Sequence, residues 1–415
     1  MLKNYLITAW KVFLRRKLFT FINLFGICIT LTVMVVVTRV IDNHLHPIGP
    51  EKTSKNFILV SKLLITNEDH SHVSSSSPGF KFIHDYVLPL STPELITAFT
   101  RESLVPFFIQ GKKINHYMRR VDANYWKVLD FEFVAGSPFN QADFDVGKFV
   151  AVINQQTAKK LFFKTNAVGQ SIIFQNQKFE VIGVVKNVTR TELEAYSDIW
   201  VPYTTWPKTS YRQQMMGNFR ALLYHSNTDR LKDAQLEFID RVKNEFVAVD
   251  QNQTIAFSNA DNKLEELARD IFGEERSYDS YVQTLIIMIS LASVLFMLLP
   301  SINMVNLNIS RIMERSSEIG IRKAFGASTK QLVWQFVVEN IVLTLIGGLV
   351  AFILSELLLS FIESSGLIPF VEFKFNLRIL LSSLFIILIF ALVSGVYPAF
   401  KMARMDPVIA LKGGM

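Results

Sequence analysis

A chain of 415 residues that is 50% hydrophobic with a formal net charge of +7 is too apolar for an ordinary soluble domain and too polar to lie wholly in a bilayer. Its Lys and Arg gather beside apolar runs rather than along one stripe, which suits membrane orientation and argues against nucleic-acid binding. The one cysteine, Cys28, excludes an intrachain disulfide and a cysteine-based metal site.

Residues 1–17 predict an amphipathic interfacial helix. Leu2, Leu6, Ala9, Trp10, Phe13 and Leu14 recur at helical spacing, and Lys3, Lys11, Arg15, Arg16 and Lys17 supply the charge. A cleaved signal peptide is the alternative, but the apolar run that follows is too long and no small-residue cleavage site comes after it. Residues 18–40 predict the first membrane span, with its basic flank inside. Asn23 and Gly26 suit a helix–helix contact.

Residues 41–260 predict a large extracytoplasmic domain, probed by short apolar runs broken by turn residues, with enough chain for two lobes. Phe57–Ile65 reads as one strand and Ser71–Pro78 as a mobile, Ser-rich loop. Val150–Ile153, Ser171–Phe174 and Phe179–Val185 are β-branched runs separated by turns, with a short helix at Gln156–Phe162. Ala221–His225, a helix over Leu231–Val247 and Thr254–Phe257 read as a βαβ-like unit. Residues 261–281 predict a stalk helix with Gly273 as its one break, since Leu264, Leu267, Ala268, Ile271 and Phe272 share a face.

Residues 282–309 predict the second span, bent at Pro300, and 332–362 the third, long enough to tilt. Glu339 and Glu356 lie within the third span, where carboxylates are functional candidates by default, although both are near enough to its ends to reach an interface. Gly347 and Gly348 suit close packing. Residues 363–376 read as a short outer loop, 377–400 as the fourth span and 401–415 as a cytoplasmic tail. Between the second and third spans, 310–331 is a charged island. Short Arg- and Lys-rich loops of this kind lie on the cytoplasmic side, so both termini are expected there too.

Catalytic patterns are missing from the sequence. Gly147-Lys148 lacks the upstream glycine and following Ser or Thr of a phosphate-binding loop, and no HExxH or GxSxG occurs. His44 with His46 and His70 with His72 are spaced for two ligands each, but no third ligand is evident and no metal site is assigned.

Three passages carry a family resemblance. Glu314-Arg315-Ser316-Ser317-Glu318-Ile319-Gly320-Ile321-Arg322-Lys323-Ala324-Phe325-Gly326-Ala327 resembles the cytoplasmic coupling segment of the MacB/FtsX-type ABC transporter permeases, ERxxEIGxRxAxGA. Val121-Asp122-Ala123-Asn124-Tyr125 with Gly136-Ser137-Pro138-Phe139 resembles a passage of their periplasmic domains. Gly395, Tyr397, Pro398, Ala399, Asp406, Pro407, Ala410 and Leu411 resemble their terminal signature.

The resemblance implies an α+β membrane protein: four transmembrane helices, with a domain between the first two in which a mostly β lobe is inserted into an α/β lobe. It implies a non-catalytic permease of the type VII ABC group in the bacterial inner membrane. Two permease copies, as a homo- or heterodimer, would work with a cytoplasmic ABC ATPase that carries the ATP and Mg. This chain would bind no cofactor and no nucleic acid. A periplasmic adaptor or carrier would be a further partner. The implied role is mechanotransmission for efflux of a peptide, drug or toxin, or for lipoprotein release. A non-exporting complex that controls cell-wall hydrolysis or senses a peptide is the alternative. Glu314, Arg315, Glu318, Ile319, Gly320, Ile321, Arg322, Lys323 and Gly326 match the ATPase-contacting positions. Their charges suit directional contacts, their isoleucines burial and their glycines close approach.

Overall fold

Four long apolar helices, and a strand-rich segment between the first two, divide the chain into a membrane unit (Met1–Ile41, Ile286–Leu367 and Phe373–Met415) and an outer unit (Asp42–Leu285 with Ile368–Glu372). The computed structural model describes residues 7, 10–11, 13–15, 17–109, 112–249, 253–273, 276–314, 321, 325–326, 328–374 and 376–403. Most of the expected N-terminal helix lies outside these residues.

The long helices are Lys17–Leu45, Val282–Glu314, Thr329–Ser365 and Leu377–Ala403. Thr20–Leu45 and Val333–Ser365 are long and apolar enough to cross a bilayer, and the described apolar stretches of the other two are Val282–Leu298 and Leu377–Ile386. Pro300 sits inside an unbroken helix, which continues past the expected end at 309 to Glu314.

Within the membrane unit the first and third helices run in the same direction. Cys28 Sγ donates to Gly347 O and Thr32 Oγ1 to Ala351 O, both at 3.3 Å and both across 319 residues of sequence. Gly347 is where the contact is tightest: a Cβ there would stand 2.8 Å from Ile27 Cγ2. Among the described residues nothing lies within 4 Å of a Cβ added at Gly26, whereas Asn23 is buried. The two candidate carboxylates are engaged with neighbours. Glu356 lies 3.8 Å from buried Arg39, whose other nitrogen donates to Phe373 O, and Glu339 accepts from Gln335 at 3.1 Å.

Among the described residues the outer unit has fifteen strands: β1 (Phe57–Val60), β2 (Leu63–Thr66), β3 (Val73–Pro78), β4 (Leu95–Thr100), β5 (Ser103–Ile109), β6 (Lys112–Val121), β7 (Phe133–Gly136), β8 (Val150–Asn154), β9 (Ser171–Phe174), β10 (Gln177–Val185), β11 (Ile199–Pro202), β12 (Met216–Gly217), β13 (Phe219–Tyr224), β14 (Ile255–Phe257) and β15 (Ala260–Asp261). Eleven form one sheet in the order β15-β1-β13-β4-β6-β11-β8-β10-β7, with β5 beside β6 and β9 beside β10. The other four form the sheet β12-β3-β2-β14.

Every residue of β8 is buried, because both faces of the large sheet are covered. Val150, Val152 and Trp200 enter one apolar core, while Ala151, Ile153, Ile199 and Val201 enter a second. Alternation along a strand sends neighbours to opposite faces, so the two cores lie on the two sides of β8 and β11. The two expected lobes therefore share one continuous sheet.

Four expectations are corrected, three of them by strand pairing. Phe57–Ile65 breaks at Ser61-Lys62 into β1 and β2, which belong to different sheets. Ser71–Pro78 is not a loop through its length: β3 pairs antiparallel with β2, with Leu63 opposite Ser76 and Ile65 opposite Ser74. Backbone pairing overrides the turn-like composition there. The βαβ-like unit is not one, because the helix Arg230–Glu245 joins β13 of the large sheet to β14 of the small one, and β14 runs antiparallel to β2.

The stalk is the fourth correction. Its helix covers only Lys263–Phe272. Asn262 caps one end by accepting from Leu264 N and Glu265 N, and Gly273 closes the other with φ of +67°. Residues 277–281 are not helical. Instead Ser277 O accepts from Arg269 Nη1 at 2.8 Å and Asn259 Nδ2 at 3.3 Å, which ties this strap back onto the domain.

Gly136 offers a sharp test of the sheet. Its φ is +68°, and a Cβ there would stand 2.0 Å from Ile182 O on the paired strand. Gly136→Ala must therefore either strain the backbone or part β7 from β10. The expected loss is about 1–3 kcal/mol, read as a lower melting temperature of the outer domain by tryptophan fluorescence.

Candidate functional site

The expected coupling segment starts at Glu314, the last described residue of the helix Val282–Glu314. Beyond the gap Ser328 caps Thr329–Ser365, its Oγ accepting from Gln331 N at 3.3 Å while its own N–H donates to the Gln331 side chain at 3.0 Å. Arg315, Glu318, Ile319, Gly320, Arg322 and Lys323 lie outside the described residues, as does the tail from Arg404 onward. Ile321 and Phe325 are described, and Phe325 N donates to Ile321 O at 3.0 Å, one helical turn apart. That spacing places them on one face. They are 49% and 89% exposed, so the segment presents an apolar pair to solvent. Gly326 follows with φ of +91°, a conformation open to glycine. Phe325 is not among the matched ATPase-contacting positions, although it is one of the apolar residues interleaved with the charges of this segment.

A second site comes from charges that are distant in sequence. The loop Thr189–Tyr196 gathers them. Glu51 is fully buried, and its Oε1 accepts from Glu194 N at 2.6 Å and Ala195 N at 2.8 Å. Its Oε2 pairs with the Lys263 ammonium at the start of the helix Lys263–Phe272. Glu192, also fully buried, returns the contact by accepting from Gly49 N at 2.7 Å. Glu194 pairs with Arg220 of β13, and Glu266 faces the same pair.

The same loop is fixed from the sheet and reaches the end of the first membrane helix. Arg119 of β6 donates to Leu193 O at 2.7 Å and Tyr196 O at 3.2 Å, and Tyr125 Oη donates to Glu194 O at 2.8 Å. Thr191 Oγ1 donates to Asn43 Oδ1 at 3.1 Å, and His44 Nδ1 lies 3.3 Å from Thr191 O. Arg190 N donates to Pro369 O, and Asn43 Nδ2 to Glu372 O. The loop is thus an ionic clasp. It joins the point where the chain enters the outer unit, the point where it begins to leave, and the short segment Ile368–Glu372.

Burial governs the protonation of this cluster. It raises Glu192 to about 7, with repulsion from Glu51 adding to the effect. It raises Glu266 to about 8, with Glu194 adding. Burial alone would lower Lys263, but attraction to Glu51 lifts it on balance. His44 is lowered by burial and by Lys263. The arrangement joins segments mechanically; the described residues hold no group of three or more potential metal ligands.

Residues 20–235 match the MacB-like periplasmic core domain, and residues 290–407 match the FtsX-like permease C-terminal domain. The chain belongs to the MacB/FtsX-type ABC transporter permeases. This permease is 30% identical over 293 residues to the "Uncharacterized ABC transporter permease YknZ" of Bacillus subtilis (strain 168), covering 70% of this chain and 68% of that one. It is 27% identical over 417 residues to the "Pyoverdine export ATP-binding/permease protein PvdT" of Pseudomonas aeruginosa, covering 97% of this chain and 58% of that one. For the "Macrolide export ATP-binding/permease protein MacB" of Pasteurella multocida the identity is 24% over 312 residues, covering 74% and 44%. The permease thus spans about half the length of these two ATP-binding relatives. Among solved structures, the periplasmic region of MacB from Actinobacillus actinomycetemcomitans aligns at 15% identity and a TM-score of 0.37, covering 56% of this chain and 96% of that one. The extracellular domain of YknZ aligns at 18% and 0.35, covering 46% and 94%.

Proposed function

We propose that this permease passes the ATP-driven motion of a separate ABC ATPase across the bacterial inner membrane to its outer domain. The helix Val282–Glu314 is the observation that carries the reading: 33 residues run unbroken from the end of the outer domain's sequence to the coupling segment. A helix of that length is about 50 Å long, well beyond the roughly 30 Å of a bilayer's hydrocarbon core. It can therefore link the two sides as one element. Just beyond it, Ile321 and Phe325 supply an apolar contact face, and Arg322 and Glu318 supply charge for a partner. ATP and Mg sit on that partner, and the chain itself binds neither. Both termini and the coupling segment face the cytoplasm; the parallel run of the first and third helices supports this topology.

The working unit is two permease copies with their ATPases in the bilayer, joined by a periplasmic adaptor or carrier where the cargo requires one. The relatives' names concern export of macrolides and pyoverdine, which favours export or lipoprotein release over a purely signalling role. The cargo is handled on the outer side.

Purification in mild detergent should bring down an ATPase, and that pair should hydrolyse ATP while the isolated permease does not. Robust hydrolysis by the permease alone would refute the division of labour.

A further inference from the structure

The clasp contains carboxylates that its cations do not neutralise. Lys263 is engaged with Glu51, Arg220 with Glu194 and Arg119 with Glu102. Glu192 and Glu266 make no ion pair among the described residues. Glu192 is held instead by the N–H groups of Gly49 and Glu51. Around Glu192 stand Glu51 from the same clasp and Lys263 from the facing helix. Around Glu266 stand Glu194 from the loop, Arg220 from β13, and Lys263 and Asp270 from its own helix, with Arg101 and Glu102 of the β4–β5 turn at the margin. Glu194 Oε2 is buried with no hydrogen-bond partner among the described residues. A narrow crevice of about 10 Å³, room for about one water, is lined by His44, Glu51, Leu193, Glu194, Lys263 and Glu266, with Glu192 behind Glu51.

Glu192 is fully buried and Glu266 is half-buried at the crevice, and at such places a proton, rather than a further ion pair, removes an excess carboxylate charge. We propose that Glu192 and Glu266 form a proton-binding site of the outer domain, so that external pH sets how tightly the clasp holds the chain's entrance to its exit. With both protonated, the excess negative charge is gone and the Glu51–Lys263 and Glu194–Arg220 pairs hold the elements together. Loss of the two protons places like charges beside Glu51 and Glu194 and loosens the joint.

The raised values of about 7 and about 8 fit this account. Both lie above the ordinary carboxylate value of 4.5, so the folded domain holds protons that the unfolded chain releases. The stabilisation is complete below that ordinary value and is lost as pH rises through the folded ones. Proton binding stands on this geometry; only its effect on signalling across the membrane rests on the transmission reading.

The test uses the full chain in lipid nanodiscs without an ATPase. Unfolding of the outer domain is followed by the fluorescence of Trp126, Trp200 and Trp206 between about pH 5 and 9. For the wild type, the unfolding constant should rise with pH, by up to about tenfold per pH unit for each proton released. In the double variant Glu192→Gln, Glu266→Gln, which keeps shape but cannot ionise, the contribution of these two groups should vanish and the slope should flatten across the same window. An unchanged slope in the double variant, or a flat wild-type profile, overturns the proposal.

Infrared difference spectra of the wild-type chain labelled with 13C-glutamate provide a readout that needs no variant. A buried carboxylic-acid carbonyl band present at about pH 6 should disappear by about pH 9. Its absence at the lower pH overturns the proposal as well. Neither readout involves nucleotide or a partner, so failure here would leave the transmission reading standing.

Discussion

Lys263→Met should lower the stability of the outer domain by about 3–5 kcal/mol, the cost of leaving a buried partner charge uncompensated. For a domain of this size that corresponds to a fall in melting temperature of roughly 10 °C. Glu51 is fully buried and remains bonded to Glu194 N and Ala195 N, so it cannot turn to water when the ammonium is removed. Fully buried Glu192 is close enough to raise the penalty further. Adding Glu51→Gln should restore part of the loss, because the amide oxygen can still accept from the two N–H groups without carrying charge. Melting curves of the single and double variants measure the pair directly. A single variant as stable as the wild type would mean that the clasp does not hold the domain together.

Arg322→Glu should disconnect the permease from its ATPase while leaving the outer domain intact. Reversing one charge in a partly buried contact replaces attraction with repulsion, at about 2–5 kcal/mol, or ~30-fold or more in affinity. Glu318→Arg should do the same, and co-purification yield and stimulated ATP hydrolysis would report both. Phe325→Ala tests the apolar half of the same surface. Phe325 is 89% exposed and gains nothing from its own chain, so truncation should spare folding and weaken only the partner contact. Full ATPase recovery with all three variants would place the contact elsewhere.

The long apolar helices were legible because a long apolar run has few other meanings, although Val282–Glu314 extends past the apolar limit into the mixed residues Ser310–Glu314. The β-branched runs of β8, β9 and β10 were legible for a similar reason: Val150–Asn154 is apolar at nearly every position because both faces are buried. The strand β3 was not. Four serines carry the composition of a loop, and its backbone partners are the preceding strand β2 and the distant β12. The stalk was misjudged at Gly273, where an apolar face continues in sequence but the left-handed cap ends the helix.

For the candidate sites the contrast is sharper. The expected coupling segment is a contiguous motif, so the sequence alone names its candidate residues, most of which lie outside the described residues. The clasp is assembled from Glu51, Glu192, Glu194, Arg220, Lys263 and Glu266, which follow no spacing rule. Each one read singly is an ordinary surface charge. Only the fold brings them under Arg119 and Tyr125, and no sequence signal pointed to them.

On the proposed function, ATP on the partner moves the outer domain. Spin labels at Val247→Cys in the outer unit and Leu367→Cys in the membrane unit, both exposed positions, can be placed in a Cys28→Ser background free of other cysteines. The labelled permease is diluted with unlabelled chain, reconstituted with its ATPase in nanodiscs, and its intrachain distance distribution measured by pulsed electron resonance. ATP should shift that distribution in the wild type and leave it unchanged when Arg322→Glu is present. An unchanged distribution in a wild-type complex that is hydrolysing ATP would contradict the claim.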